Sequence, residues 1–237
     1  MAQLFLVRHA QAAFGTEDYD RLTPLGHQQA RWLGSYFQER GIHFDRVLSG
    51  TLRRHRQTVE SIGRSGVSLA ELQADPRLNE YDPERLVAAH LAATSHAREL
   101  PPGASAGIAA DSKGTRKEHF RLLRAALTAW TLGDIDPGSH RSFKTFQEEA
   151  YQAFLLACQT DQEAVTRVLV VTSGGPISSI LAYLLGMPAS SFVALNLQVR
   201  NTGFCEMQFN SRGAQLVSFN NVPHLDTIDR RANISFS

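Results

Sequence analysis

The sequence predicts an α/β fold, a three-layer sandwich in which helices flank a mostly parallel central sheet and a helical insertion or cap adds to it. The run Gln3–Val7 alternates and then turns apolar, as an inner strand of an α/β sheet does. Val168–Val171 is the strongest buried-strand pattern in the chain, and a helical pattern follows it. Helical patterns alternate with the strand-like runs, which is typical of this fold class.

The first half of the chain contains a well-marked helix. Thr23 is a suitable N-cap, and Pro24 takes the first helical position, where its missing N–H costs nothing. Gly41 ends this helix. A strand, a second helix and a short third strand are predicted next, at Phe44–Leu48, Leu52–Arg64 and Leu69–Leu72.

The segment 82–141 differs in character from the rest, with prolines, small residues and a glycine-bounded turn. One clear helix lies inside it, marked by apolar residues at helical spacing: Phe120, Leu123, Leu127 and Trp130. We interpret 82–141 as a helical insertion or cap within a single domain that covers 1–237.

The last third returns to the sheet pattern. A helix contains Phe143, Phe146 and Phe154, and another follows Val168–Val171 and is stopped by Gly186. Two strand-like runs close the chain and are expected to pair as neighbours: Phe204–Phe209 and Gln215–Phe219.

Composition excludes several classes of protein. The chain has 237 residues, 43% of them hydrophobic and 20% charged, with a net charge of +1. A dedicated nucleic-acid binder would carry a basic excess, and no apolar run reaches the about 18 residues that span a membrane. The start Met1-Ala2-Gln3 leads straight into a strand and leaves no room for a signal peptide. We therefore expect a cytoplasmic protein, with no nucleic-acid or membrane partner and with Cys158 and Cys205 as buried thiols.

The first candidate site motif is Arg8-His9, which follows directly on the first strand. Ligands of open α/β sheets bind at the carboxyl ends of the strands. An arginine there can offer a planar fork to a phosphate, and a neutral histidine can attack phosphorus. The alternative is a strand that ends in a solvated Arg-His pair.

Two further strand-to-helix junctions suit the same kind of ligand. Ser49–Thr58 places arginines at a helix N-terminus, which itself favours anions, although a solvated basic helix face is the alternative. Thr172–Gly175 contains two glycines whose amides can approach an oxyanion, although a tight turn alone also needs glycine. Three such junctions at one sheet edge favour a phosphate site.

Together these motifs resemble those of the histidine phosphatase superfamily, the phosphoglycerate-mutase-like proteins. Leu6-Val7-Arg8-His9 resembles the signature whose histidine becomes transiently phosphorylated. Ser49–Thr58 resembles the motif that places one arginine on the phosphate, and its spacing to Gln57-Thr58 assigns that arginine as Arg54, with Arg53 and Arg56 on other helix faces. Leu78-Asn79-Glu80 resembles the acid motif, and Val170–Gly175 the last motif.

The resemblance implies hydrolysis of a phosphate monoester in two steps. His9 attacks phosphorus while Glu80 protonates the leaving oxygen, and water then attacks the phosphohistidine with Glu80 as base. For this role the pKa of Glu80 must be raised. The implied phosphate-binding residues, which need neither a metal nor a cofactor, are Arg8, Arg54, Ser173 and Gly174.

The chain departs from the family pattern at two positions. Ala10 stands where a glycine is usual, which is a mild change. Ser173 stands where the family has a second histidine that holds the phosphoryl oxygens. A serine hydroxyl is a weaker donor than a protonated histidine, and losing such a donor costs ~3 kcal/mol, about a hundredfold in rate. We expect a working but slower or narrower phosphatase.

Another histidine could replace the missing one. His224 follows the last strand and is a candidate, although a tail histidine in a turn is the simpler interpretation. His55 follows Arg54 on the helix and is predicted to point about 100° away from it, which makes it a poor substitute.

Two other functions remain open at this point. The pocket could bind a phosphorylated ligand without turnover, for which Ser173 is the argument. A phosphoglycerate-type mutase needs a second phosphate site, and Lys113, Arg116 and Lys117 are the only local basic cluster. The expected partner is a small phosphorylated substrate. Phosphorylated metabolites, sugar phosphates and phosphoproteins all remain open as substrate classes. The sequence does not predict the oligomeric state.

Overall fold

The centre of the molecule is a mixed sheet, seen in a computed structural model that describes residues 2–13, 16, 18–97, 114–135, 138, 141–159 and 167–236. The strands in this part of the chain are β1 (Ala2–Arg8), β2 (Arg46–Ser49), β3 (Leu72–Ala74), β4 (Arg167–Thr172), β5 (Phe204–Asn210) and β6 (Gly213–Asn221). Their order is β3-β2-β4-β1-β5-β6. The first four in this order are parallel, and β5 and β6 form an antiparallel hairpin at one edge. The predicted mostly parallel sheet is confirmed.

Helices cover both faces of the sheet. They are α1 (Pro24–Glu39), α2 (Arg53–Gly63), α3 (Pro83–Ala97), α4 (Gly114–Leu132), α5 (Phe143–Cys158), α6 (Gly174–Leu184) and α7 (Ala189–Asn196). Strand β1 divides its side chains between two cores, because successive strand residues face opposite sides. Leu4 and Leu6 pack with α5 and α6, whereas Phe5 and Val7 pack with α1 and α2. These two cores make the predicted three-layer sandwich.

The close packing of α1 on α2 depends on a glycine. A Cβ built at Gly34 would lie 2.4 Å from the carbonyl oxygen of Ile62 in α2. The predicted caps of α1 are also observed, since Thr23 Oγ1 accepts a hydrogen bond from the Gly26 amide and Gly41 has a φ of +61°. The helix therefore begins and ends where its sequence predicted.

Two predicted strands are displaced along the chain. The second strand begins at Arg46 rather than Phe44, and the third covers Leu72–Ala74 rather than Leu69–Leu72. Phe44 and Leu69 pair only as an isolated parallel bridge before the two strands come together. The sequence did not predict α3 or α7.

A third apolar cluster joins α4, α5 and α7 beside the sheet. Trp130, Phe143, Phe146 and Phe192 form its buried centre, and Tyr81 packs on it with its ring 5.5 Å from that of Trp130. The helix predicted around Phe120–Trp130 is thus observed as α4. Residues 98–113 and the side chains of Arg116 and Lys117 lie outside the described residues, and the interpretation of 82–141 as an insertion stays a prediction.

In the part of the chain that the structure describes, no helix is both long and apolar enough to cross a bilayer. Cys158 and Cys205 are both free thiols, and burial raises the pKa of each to about 12. The raised pKa values fit the expectation of unreactive thiols. The prediction that both thiols are buried is right for Cys205 and wrong for Cys158, which is partly exposed.

Candidate active site

The sheet register brings the three predicted motifs to one edge. Arg8, the last residue of β1, pairs with Thr172 in β4, and Ser49 of β2 pairs with Val171. Because all three strands are parallel, His9, the start of α2 and the start of α6 follow their carboxyl ends together. The three motifs therefore converge at the edge of the sheet where the sequence predicted that they would meet.

His9 is buried and has a defined orientation. Its Nδ1 lies 2.7 Å from the carbonyl oxygen of Ala10, which can only accept, so Nδ1 carries the proton of the neutral ring. Burial is the main cause that holds its pKa well below the usual range, and the charges of Arg54 and Arg8 add to it. At neutral pH the ring is uncharged, with the lone pair of Nε2 free to attack.

Arg54 reaches the site from the first turn of α2 and is 6% exposed. One guanidinium nitrogen donates to Asp20 Oδ1 at 2.7 Å. Its Nε is buried and has no hydrogen-bond partner among the described residues. An unsatisfied buried cationic donor is costly unless a ligand binds it, so this side chain indicates an anion site. Arg53 is half-exposed and Arg56 exposed, as predicted for the other helix faces.

Arg8, the last residue of β1, supplies the second guanidinium group. Its guanidinium donates to the carbonyl oxygen of Val199, and its Nε lies 3.8 Å from where a Cβ of Gly174 would be. Burial lowers the pKa of Arg8 and the nearby Glu80 opposes that shift, and arginine stays charged in any case. Positive charge from the end of β1 and from the start of α2 thus lies near His9.

Glu80 lies at the N-terminus of α6. The Gly175 amide donates to its carboxylate at 3.0 and 3.2 Å. Burial raises the pKa of Glu80, although this amide and the two arginines favour the ionised form and limit the rise. A carboxyl with a raised pKa can serve first as acid and then as base. Burial thus shifts the pKa of Glu80 in the direction that its expected role requires.

Neighbouring side chains fix these groups in place. Thr58 Oγ1 accepts from the Ala10 amide at 3.1 Å, which ties the loop after His9 to α2. Asn79 accepts from the Thr51 amide and donates to its hydroxyl, both at 2.7 Å, which ties the Glu80 loop to the same junction. These bonds hold both loops against α2 and the junction before it.

Ser173 and Gly174 stand at the junction of β4 and α6 as predicted. Ser173 is the N-cap residue of α6, yet its hydroxyl makes no capping bond. Instead its Oγ lies 2.7 Å from Nε2 of His55, and both side chains are fully buried. The second glycine amide, that of Gly175, is occupied by Glu80 rather than left for a ligand.

The prediction that His55 faces away from the site is wrong. Its ring centroid lies 5.6 Å from that of His9. At the N-terminal turn of α2, which points into the crevice, two successive side chains both reach the site, so an angular difference of about 100° does not exclude either of them.

His224 is placed elsewhere, against Thr202, whose hydroxyl lies 2.8 Å from Nε2 of His224. The ring of His224 also packs on Tyr36. It therefore anchors the tail and does not replace the missing histidine. Among the described residues, no group of three or more His, Cys, Asp or Glu side chains suits a metal ion.

Comparison with known proteins decides the family. The sequence profile of the histidine phosphatase superfamily (branch 1) matches residues 4–125 and 98–222. The chain belongs to the histidine phosphatase superfamily. The resemblance predicted from the motifs is confirmed.

Two relatives of this chain are named as phosphatases. The broad-specificity phosphatase YOR283W of Saccharomyces cerevisiae is 26% identical over 196 residues, which are 77% of this chain and 70% of that protein. The mitochondrial serine/threonine-protein phosphatase PGAM5 of Xenopus tropicalis is 36% identical over 63 residues, which are 26% of this chain and 23% of that protein.

Solved structures share the fold of this superfamily member. A phosphoserine phosphatase variant from Entamoeba histolytica, in complex with phosphoserine, has a TM-score of 0.61 at 21% identity and covers 95% of this chain and 100% of its own. A mycobacterial glucosyl-3-phosphoglycerate phosphatase has a TM-score of 0.60 at 20% identity, with 93% and 99% covered. At these identities the likeness concerns the fold.

Proposed function

We propose that this protein is a metal-independent phosphate monoester hydrolase that acts through a phosphohistidine intermediate on His9. The observation that carries the proposal is the 2.7 Å contact of His9 Nδ1 with the Ala10 carbonyl, which leaves Nε2 of the neutral ring unprotonated, with the charges of Arg54 and Arg8 nearby. The family of the chain and the phosphatase names of its relatives support the same reaction.

In the first step Nε2 of His9 forms a bond to phosphorus as the bond from phosphorus to the leaving oxygen breaks. Glu80 gives its proton to that oxygen, so the product leaves as a neutral alcohol. The imidazole becomes positively charged, and its Nδ1–H donates to the Ala10 carbonyl more strongly than before. Covalent catalysis of this kind divides one difficult displacement into two.

In the second step water attacks phosphorus and gives a proton to Glu80. The nitrogen–phosphorus bond breaks, inorganic phosphate leaves and neutral His9 is restored. Arg8 and Arg54 neutralise the charge on the non-bridging oxygens in both steps, which is most of the work in phosphoryl transfer. The two guanidinium groups take the place that a metal ion has in other phosphatases.

We expect Ser173 to slow this reaction, because its neutral hydroxyl replaces the second histidine of the family pattern. Asp20 adds to that effect by holding one nitrogen of Arg54. These two observations favour a second candidate, a site that binds a phosphorylated ligand without turnover.

A panel of small phosphomonoesters tests the proposal, with phosphate release measured for the wild type and for His9→Ala. We expect hydrolysis by the wild type alone, acid-labile phosphate trapped on His9, and no loss of rate in the presence of a chelator. The panel includes phosphoserine, sugar phosphates and phosphoglycerates, because the substrate is a proposal too.

Three results would contradict the proposed phosphatase activity. Unchanged hydrolysis by His9→Ala excludes the nucleophile. Isomer formation without phosphate release indicates a mutase. Tight binding of a phosphoester with no release indicates the non-catalytic binder.

A further inference from the structure

We propose that His55 and Ser173 work as one hydrogen-bonded unit, in which the Ser173 hydroxyl binds a non-bridging oxygen of the transferring phosphoryl group and His55 orients that hydroxyl. Ser173 is then a catalytic residue and His55 a positioning residue. This inference rests on the proposed function, since it concerns the same phosphoryl transfer.

The position of the Ser173 hydroxyl is the first argument. N-cap serines commonly accept from the amides of the first helical turn, but this one makes no such bond and faces His55 at 2.7 Å. Both side chains are fully buried. A buried polar pair that gives up a capping bond stabilises the fold less than it could, and such departures are concentrated at functional sites.

The second argument concerns which group of the pair donates the hydrogen bond between them. A hydroxyl has one proton and can accept as well as donate. When Nε2 of His55 carries its proton and donates to Ser173 Oγ, the hydroxyl proton is free to point elsewhere. A negatively charged phosphoryl oxygen near the hydroxyl favours this arrangement. If the hydroxyl donated to His55 instead, its oxygen lone pairs would face the negative phosphoryl oxygen. The imidazole thus strengthens the serine as a donor.

The neighbourhood of the pair is the third argument. The His55 ring lies 5.6 Å from the ring of His9, and Arg54 precedes it on α2. Burial, with the charge of Arg54, holds the pKa of His55 well below its usual range although the Gly50 backbone opposes the shift, so the ring is neutral. A neutral imidazole orients the hydroxyl without adding a third positive charge beside the nucleophile.

Packing fixes the ring of His55. A Cβ built at Gly50 would lie only 2.2 Å from its Nδ1 and 2.6 Å from Asn79 Oδ1. The ring is packed on Gly50 on one side and lies 2.7 Å from the buried Ser173 hydroxyl on the other, so a larger side chain at position 173 would collide with it. The histidine of the family pattern therefore fits at 173 only when residue 55 is small.

The experiment compares two variants of similar size at position 55. His55→Gln keeps a nitrogen donor near the position of Nε2, and His55→Leu removes it. We expect kcat to fall about ten- to a hundredfold in His55→Leu, with KM little changed, because the bond is stronger in the transition state. His55→Gln should keep kcat within about threefold of the wild type, at the low end of the effect of one hydrogen bond. Arg56→Ala, on the exposed face of α2, is the control and should match the wild type.

Two sets of double variants complete the test. Ser173→Ala should lose as much as His55→Leu, and the two together should lose no more than either alone, because they remove one unit. Ser173→His alone should lose activity by crowding, whereas Ser173→His with His55→Ala should recover it.

Wild-type kcat in His55→Leu, or losses that multiply in the double variant, would overturn the inference. A His9→Ala control distinguishes failure of this inference from failure of the proposed function. If His9→Ala is inactive and His55→Leu is normal, only the inference fails. If His9→Ala is active, the proposed function itself fails. Melting temperatures of all variants identify any that do not fold.

Discussion

At the scale of single residues, the site depends on opposite shifts in two pKa values. Burial lowers the pKa of His9, a base, and raises the pKa of Glu80, an acid. Burial disfavours the charged form of each group, so both tend toward their neutral states. A neutral nucleophile beside a neutral acid is the combination that the first chemical step requires.

The pH profile of Glu80→Gln tests these roles. In the wild type, activity should fall at low pH as His9 takes up a proton and at high pH as Glu80 loses one. Glu80→Gln should lower kcat about 10²- to 10⁴-fold for alkyl phosphates and remove the basic limb of the profile. The loss should be smaller in the phosphorylation step with p-nitrophenyl phosphate, whose leaving group needs no proton. An unchanged basic limb would exclude Glu80 as the acid.

Asp20 places a carboxylate on the arginine that we expect to hold the substrate. Its side chain is 38% exposed and bonds Arg54 at 2.7 Å, so it competes with the phosphate and repels it. Asp20→Asn should lower KM about three- to tenfold, which is ~1 kcal/mol for a partly exposed ion pair. The matched control is Asp18→Asn, which removes the partner of the half-exposed Arg53 and should leave KM unchanged. A raised KM in Asp20→Asn would mean that Asp20 positions Arg54 instead.

At the scale of elements, the site is assembled by the junctions that follow β1, β2 and β4. Each strand is buried and rigid, and each junction carries one part of the chemistry. Helix α2 is itself held in place by its close approach to α1 at Gly34. The precision of the site therefore depends on helix packing at Ile62, about two turns along α2 from Arg54.

Two glycine substitutions test this dependence. Gly34→Ala would place a Cβ 2.4 Å from a backbone oxygen of α2, so we expect the free energy of unfolding to fall by about 1–3 kcal/mol. Gly63→Ala, also on α2, meets only a leucine methyl at 3.4 Å and should be neutral or slightly stabilising. Urea unfolding of both variants provides the comparison. Equal stability of the two would show that the helices can separate at no cost.

At the scale of the whole molecule, the fold buries three of the histidines that the structure describes, and it holds them in neutral form. They are His9, His55 and His224, and burial is the main cause that lowers the pKa of each. In the unfolded chain histidine has a pKa of about 6.5, so the unfolded state binds more protons at acidic pH. Their contribution to stability is present above about pH 6.5 and is lost as the pH falls.

His224 offers a test of this linkage outside the site. Its pKa in the folded protein is about 3, so between that value and the unfolded one it should contribute a slope of about 1.4 kcal/mol per pH unit. His224→Gln should reduce the slope of the free energy of unfolding against pH by that amount. The exposed His43→Gln is the control. If His224→Gln kept the wild-type slope, the linkage would lie in other groups.

Prediction from the sequence succeeded where local patterns and tertiary structure agree. The cap and first turn of α1, the buried strand β4 and the hairpin of β5 and β6 all follow from patterns a few residues long. It failed for α3 and α7, which lack strong signals of their own, and α7 is held by the aromatic cluster around Trp130. Prediction also failed for the position of the His55 side chain. The angle between successive side chains on a helix does not show whether the end of that helix points into the site.

The sequence by itself determined the fold class, the strand ends that carry the motifs and, through the family resemblance, the roles expected of His9, Glu80 and Arg54. Only the tertiary structure decided which partners those groups have. The pairing of Ser173 with His55, of Arg54 with Asp20 and of Glu80 with the Gly175 amide joins residues 34 to 118 positions apart. Such pairs depend on the order of strands in the sheet and on helix packing, and no local pattern encodes that order.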